Sequence, residues 1–169
     1  MSNLRNAAHR MARHLPVIKR RCNLKIYIAA SFFKHKEEVE YVVRSLRKNP
    51  HYSVYAPMEF KLKNAWDYTN EEWGKLVVDA DLAALDSADV AIVLCYAGDD
   101  GSIHGAGGTP WEAGYCCGCH KPYIAVHLEE GKASLMIANG TKYNVSSIEE
   151  LLSIDLEHPP VRQCTVPQT

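Results

Sequence analysis

Hydrophobic and polar positions along this chain alternate between two periods. Lys25-Ile26-Tyr27-Ile28-Ala29-Ala30 is a short apolar run of strand-forming residues, which predicts a first strand buried in a parallel sheet. Ser31-Phe32-Phe33 follows as a loop. Over 36–48, Val39, Val42, Val43 and Leu46 recur at helical spacing among charges, and Asn49-Pro50 ends that element. Residues 53–57 predict a second strand. From Trp66 to Asp86 a longer helical pattern aligns Trp73, Val77, Ala80 and Ala84 in one stripe. Ala88 to Cys95 is the strongest strand signal, a continuous apolar run suited to a sheet centre, and a polar, glycine-loaded loop from Tyr96 to Gly108 follows it. Pro122 to Leu128 predicts another strand, Ala133 to Ala138 a short helix, Tyr143 to Val145 a last strand, and Ser147 to Ser153 a helix opened by Ser-x-x-Glu.

This alternation predicts an α/β fold, a doubly wound three-layer sandwich of flavodoxin-like type around a largely parallel five-stranded sheet. The expected organisation is a basic N-terminal extension over 1–23, one domain over 24–155, and an irregular tail over 156–169 with Pro159, Pro160 and Pro167. A chain of 169 residues is long enough to bury a real core, and 47% hydrophobic with 23% charged residues fits a soluble globular protein. A net charge of −1 argues against a general nucleic-acid binder. No apolar run reaches the about 18 residues of a membrane span.

Residues 1–23 carry six Arg and Lys residues, at 5, 10, 13, 19, 20 and 21, and the first acidic residue is Glu37. Leu4, Ala8, Met11 and Leu15 recur at helical spacing, so the arm reads either as a transit segment or as a solvated extension, with Pro16 ending its helix early. Six cysteines without a secretory segment suggest reduced thiols in the cytoplasm. Cys116, Cys119 and His120 spell the c-type haem pattern C-x-x-C-H, but they fall within a helix and no second ligand cluster accompanies them. Core-lining thiols are the better reading, and no metal is expected.

The candidate chemistry centres on Gly107-Gly108-Thr109-Pro110-Trp111-Glu112-Ala113-Gly114-Tyr115, a glycine-rich loop turning into a helix. With Thr109 as N-cap, Pro110 takes the first helical position and Glu112 the third, a capping box. Two roles for Glu112 stay open. It caps the helix, or the positive end of the helix dipole keeps it ionised as a nucleophile. Glycines such as Gly108 let backbone approach a ligand closely. On the preceding helix, Asp81 lies about 80° around from Trp73 and about 40° from Val77. That places it at the edge of the apolar stripe, while Asp79 and Asp86 point away. Strand, glycine loop and helix N-terminus together mark the carboxyl-end crevice where open α/β sheets bind ligands.

These pieces, in order, resemble the nucleoside 2-deoxyribosyltransferase family. Lys-Ile-Tyr-Ile-Ala, Trp73 with Asp81, the Ala-Asp-Val strand, Gly-Thr-x-Trp-Glu-x-Gly-Tyr and Leu135-Met136-Ile137-Ala138-Asn139-Gly140 occur at close to the family spacing over roughly 24–155. The resemblance implies exchange of the base of a 2′-deoxyribonucleoside for a free nucleobase through a covalent deoxyribosyl intermediate. Glu112 would be the nucleophile, Asp81 the acid and base, and Tyr27 a residue positioning the nucleophile. Phe33, Trp73 and Met136 would line the base pocket. No cofactor is called for. A homo-oligomer, from dimer to hexamer, is implied, with a neighbour's residue at Ser134 completing the sugar site.

Three positions depart from the family pattern. The aspartate expected six residues before the nucleophile is Ala106, with Asp99 or Asp100 as nearby substitutes, Ser134 replaces an asparagine, and Glu59 and Lys61 stand where a base-reading glutamine is frequent. Competing readings are a hydrolase of deoxynucleosides or their 5′-phosphates on the same fold, a nucleotide phosphoribohydrolase with a similar Gly-rich motif, and a non-catalytic nucleotide sensor. The last would suffer from the charge of Glu112 beside phosphate. The Leu-Met-Ile-Ala wording leans toward purine substrates.

Overall fold

A computed structural model of the chain describes residues 23–96, 107–128, 134–141 and 143–157, except for the side chains of residues 33 and 34. Its elements in order are β1 (Leu24–Ala29), α1 (Phe32–Leu46), β2 (Tyr52–Tyr55), α2 (Asn70–Ser87), β3 (Val90–Cys95), α3 (Gly108–Gly118), β4 (Tyr123–His127), α4 (Leu135–Asn139), β5 (Tyr143–Val145) and α5 (Ile148–Leu152). All strand pairs are parallel and the order is β2-β1-β3-β4-β5. That is the flavodoxin-like order, with its switch point between β1 and β3.

The two faces of the sheet are built from different residues, because successive side chains along a strand point to opposite sides. Ile26 and Ile28, Val90, Ile92 and Leu94, and Ile124 and Val126 face α1 and α5, packing on Val39, Val42, Val43, Leu46 and Leu151. Leu156, just beyond α5, is buried in the same cluster. On the other face stand Tyr27, Ala29, Ala91, Val93, Tyr123 and Ala125, against Leu85 of α2, Ala113 and Cys116 of α3 and Ile137 of α4. One face is therefore packed with large aliphatics, while the other pairs alanines with two tyrosines and leaves room for polar side chains to reach the sheet.

Several boundaries differ from the periodicity. Phe32 and Phe33 already belong to α1 rather than to a loop, and a break at His35 (φ −115°, ψ 33°) separates this first turn from the regular helix. The His35 ring lies flat on Tyr96 at 3.6 Å between centroids. The helix expected from Trp66 starts at Asn70. Thr69 caps it, accepting from the Glu72 N–H while the Glu72 carboxylate takes the Thr69 N–H. Trp66 sits instead in a short 3₁₀ turn, 93% exposed. β2 ends at Tyr55, because Pro57 has no N–H to donate and opens another 3₁₀ turn. In α5, Ser147 caps through its side chain as expected, but the Glu150 carboxylate reaches the N–H of Ser146, one residue before the cap.

Gly140 after α4 has a steric reason. A Cβ there would collide with the Tyr123 hydroxyl and come within 2.9 Å of the Met136 carbonyl. The buried Tyr123 hydroxyl donates to the Ile137 carbonyl at 2.7 Å, pinning α4 to the sheet.

Candidate active site

Tyr27 is fully buried near the end of β1, and at the paired register position on β2 stands Tyr55. Both side chains leave the same face of the sheet, and their rings stack with centroids 5.6 Å apart and planes inclined by 21°. Each tyrosine hydroxyl donates to one carboxylate. Tyr27 reaches Glu112 Oε1 of α3 at 2.5 Å, and Tyr55 reaches Asp81 Oδ1 of α2 at 3.1 Å. Two carboxylates from two helices thus converge on a tyrosine pair held by adjacent strands. The same face carries the small residues Ala29 and Ala91.

The start of α3 differs from the expected capping box. Gly107 is the cap residue, with helical angles (φ −53°, ψ −17°) and no side-chain capping bond, so Thr109 is the second helical residue and is buried. Helical backbone through the two glycines moves the helix start back and places Glu112 in the second turn. There its carboxylate turns inward to Tyr27 instead of back to the helix end.

This placement also raises the carboxyl that the helix dipole was expected to hold down. Glu112 is 8% exposed, and its carboxyl is pushed up to about 7, mainly by burial and further by the charge of Asp81, against the lowering effect of the Tyr27 hydroxyl. Loss of water outweighs the helix dipole, whose influence fades beyond the first turn. Asp81, half-buried, is also raised by burial, with the Tyr55 hydroxyl opposing. The two carboxyls interact, so their protons are best treated as belonging to the pair. Tyr27 is raised far above its ordinary range by burial and then by Glu112, and Tyr55 is pushed up to about 12 by burial and then by Asp81. Both phenols therefore remain donors throughout the working pH range.

Of the predicted site residues, Tyr27, Asp81 and Glu112 come together. Trp73 lies two turns before Asp81 on α2 and is 47% exposed, and Met136 is 84% exposed on α4. Gly108 is exposed in the first turn of α3, and Ser134 is half-buried immediately before α4. The Phe33 side chain, Asp99, Asp100 and Ala106 lie outside the described residues, as do the basic arm up to residue 22 and the tail from residue 158. Glu59 is tied by both oxygens to Arg47, at 2.8 and 2.6 Å, and Arg47 also donates to the Val54 carbonyl. That carboxylate is thereby fixed in a strand-to-turn brace. Tyr55 is not among the residues the sequence singles out; what brings it to Tyr27 is the pairing of β2 with β1.

Around this centre, Tyr115 donates to Asp86 Oδ1 at 2.6 Å and stacks on Trp111, joining α3 to α2. Cys116 is buried behind Glu112, whereas Cys117 and Cys119 are exposed. Among the described residues no group of three or more His, Cys, Asp or Glu side chains is arranged to hold a metal ion, and no helix is long and apolar enough to cross a membrane.

Fold and site together define a doubly wound α/β protein with a tyrosine-braced carboxylate pair beside its switch point. The sequence profile of the nucleoside 2-deoxyribosyltransferase family matches residues 26–149. The chain belongs to that family. Its structure is similar to that of a 2-deoxyribosyltransferase from the psychrotolerant bacterium Bacillus psychrosaccharolyticus, with a TM-score of 0.64 and 26% identity over 83% of this chain and 98% of that one. A conserved protein from Enterococcus faecalis V583 shares the fold, with a TM-score of 0.62 and 18% identity over 77% and 95% of the two chains. No curated protein matches the chain significantly in sequence.

Proposed function

We propose that this protein exchanges the base of a 2′-deoxyribonucleoside for another purine or pyrimidine, with retention, through a deoxyribosyl ester on Glu112. The observation that carries the reading is the Tyr27–Glu112 hydrogen bond beside Asp81. Retaining glycosyl transfer needs one ionised carboxylate and one acid near the leaving group. A pair with raised affinity for one shared proton can supply both. Substrate covering the more open Asp81 removes its water and draws the proton there, while the Tyr27 hydroxyl holds Glu112 as the anion.

In the first half-reaction a lone pair on Glu112 Oε2 forms the bond to C1′. The C1′–N pair leaves with the base, and the Asp81 proton goes to that base. The products are a neutral ester, a neutral base and the Asp81 carboxylate, so charge is conserved. The incoming base reverses these steps, giving its proton to Asp81 and displacing Glu112. Two inversions at C1′ yield retention.

Trp73, Met136, Phe33, Gly108, Ser134 and Asp100 are assigned to the substrate surroundings through the family pattern. The exposed apolar side chains Trp73, Trp111, Leu135 and Met136, all on the α2, α3 and α4 layer, support a homo-oligomer that covers them. Free thiols at Cys95, Cys116, Cys117 and Cys119 are in keeping with a reducing cytoplasm.

The test is chromatography of the protein with deoxyinosine and adenine, then with thymidine and adenine, with no-acceptor controls and the Glu112→Ala variant beside each. Deoxyadenosine from the first pair alone makes this a purine enzyme, and from both pairs a broad one; Glu112→Ala yields none. Free base and deoxyribose without exchange would make it a hydrolase instead. Wild-type exchange rates in Glu112→Ala would overturn the nucleophile.

A further inference from the structure

Resting on the reading above, we propose that Tyr55 is a positioning residue for Asp81: by donating its hydroxyl to Oδ1, it directs the acid proton to Oδ2, the oxygen that delivers it to the departing base.

The argument starts from the geometry of a carboxylic acid, in which one oxygen accepts and the other carries the proton. The Tyr55 hydroxyl lies 3.1 Å from Asp81 Oδ1. Because the phenol is pushed up to about 12, it stays a donor at every working pH. An oxygen already accepting from it is the acceptor oxygen of the neutral acid, which leaves Oδ2 for the proton. Tyr27 treats Glu112 in the same way, occupying Oε1 and leaving Oε2 for attack. The two assignments are mechanically linked. Tyr27 and Tyr55 occupy paired positions on hydrogen-bonded parallel strands, and their rings are stacked. The tyrosine pair therefore fixes, in one rigid frame, which oxygen of each carboxyl does chemistry. The ionisable groups acting around Asp81 are Tyr55 from β2, Tyr27 from β1 and Glu112 from α3.

Tyr55→Phe retains the ring and its stack while deleting the donor. Deoxyinosine exchange should slow about tenfold or more, the usual consequence of losing a hydrogen bond to an ionisable acid. With 7-methyl-2′-deoxyguanosine, whose base departs neutral without a proton, single-turnover release of 7-methylguanine should stay within about twofold of wild type. Donation from Tyr55 lowers the affinity of Asp81 for its proton. Its loss should therefore move the high-pH limb of deoxyinosine exchange upward. Equal loss on both substrates, or an unmoved limb, would overturn the inference while leaving the transferase reading intact. Carboxyl-carbon NMR gives a readout that needs no activity: the Asp81 midpoint should rise in Tyr55→Phe, and an unchanged midpoint would overturn the inference. A wild type inactive on every deoxynucleoside would overturn the transferase reading itself, and proton delivery with it.

Discussion

Replacing Glu112 by Gln should make the protein more stable at neutral pH while removing its activity. Glu112 is 8% exposed, and its carboxyl is raised from 4.5 to about 7, first by burial. Between these values the folded chain keeps a proton that the unfolded chain has released, so raising the pH favours unfolding. The difference, 7 minus 4.5, is 2.5 units, and at about 1.36 kcal/mol per unit it amounts to about 3 kcal/mol of lost stability above pH 7. Gln has nearly the same shape, offers an oxygen to the Tyr27 hydroxyl and never ionises. The gap between variant and wild type should therefore be smallest below pH 4.5 and widen by about 3 kcal/mol by pH 8. For a domain of this size that corresponds to a widening in Tm of about 6–12 °C. Removing the Glu112 charge also relieves Asp81, which acts in the same direction. Urea unfolding of both proteins from pH 4 to pH 8, with the m-value checked for constancy, measures the gap. A gap that is the same at both ends would mean that Glu112 titrates as an ordinary glutamate and that its burial imposes no strain.

Tyr27→Phe leaves Glu112 Oε1 without its donor, so it should cost about 1.5–3 kcal/mol at pH 8, where the carboxylate is ionised. It should also move the low-pH limb of activity upward, since the lost bond held that carboxyl down; an unmoved limb would contradict the assignment. Asp81→Asn should slow deoxyinosine exchange about 100-fold or more, as expected for a general acid, yet spare the first half-reaction of 7-methyl-2′-deoxyguanosine, read as single-turnover release of 7-methylguanine. Equal loss on both substrates would remove Asp81 from the acid role. Gly140→Ala should destabilise by about 1–3 kcal/mol, because the new Cβ meets the buried Tyr123 hydroxyl and the Met136 carbonyl; a urea midpoint equal to wild type would refute that packing account.

The sheet was legible because each strand carries its burial in a short contiguous run, and the helices because their apolar positions repeat on one face. What escaped depended on contacts between distant residues. Thr-x-x-Glu occurs at both 69–72 and 109–112, and local spacing treats the two alike. Only the first forms a capping box, because the second glutamate faces a buried tyrosine 85 residues earlier in the chain. Burial raises that carboxyl while the Tyr27 hydroxyl acts against the rise: a helix end is visible in sequence, but the removal of water by packing is not. Asp81 could be picked out because it borders an apolar stripe. Its partner Tyr55 could not, since 26 residues and two different periodicities separate them and only a side-chain hydrogen bond unites them.

That register bears on why the site stands where it does. A raised carboxyl pair must be kept from water without being neutralised by a cation, and from relaxing away under its own repulsion. Main-chain pairing fixes Tyr27 and Tyr55 side by side, and fixes Tyr27 also against Ala91 of β3. Helices α2 and α3 then bring one carboxylate each to the same small-residue face. The asymmetry between the two sheet faces therefore underlies the site: one face supplies the apolar burial that keeps the sheet rigid, and the other holds two carboxyl groups on adjacent tyrosines.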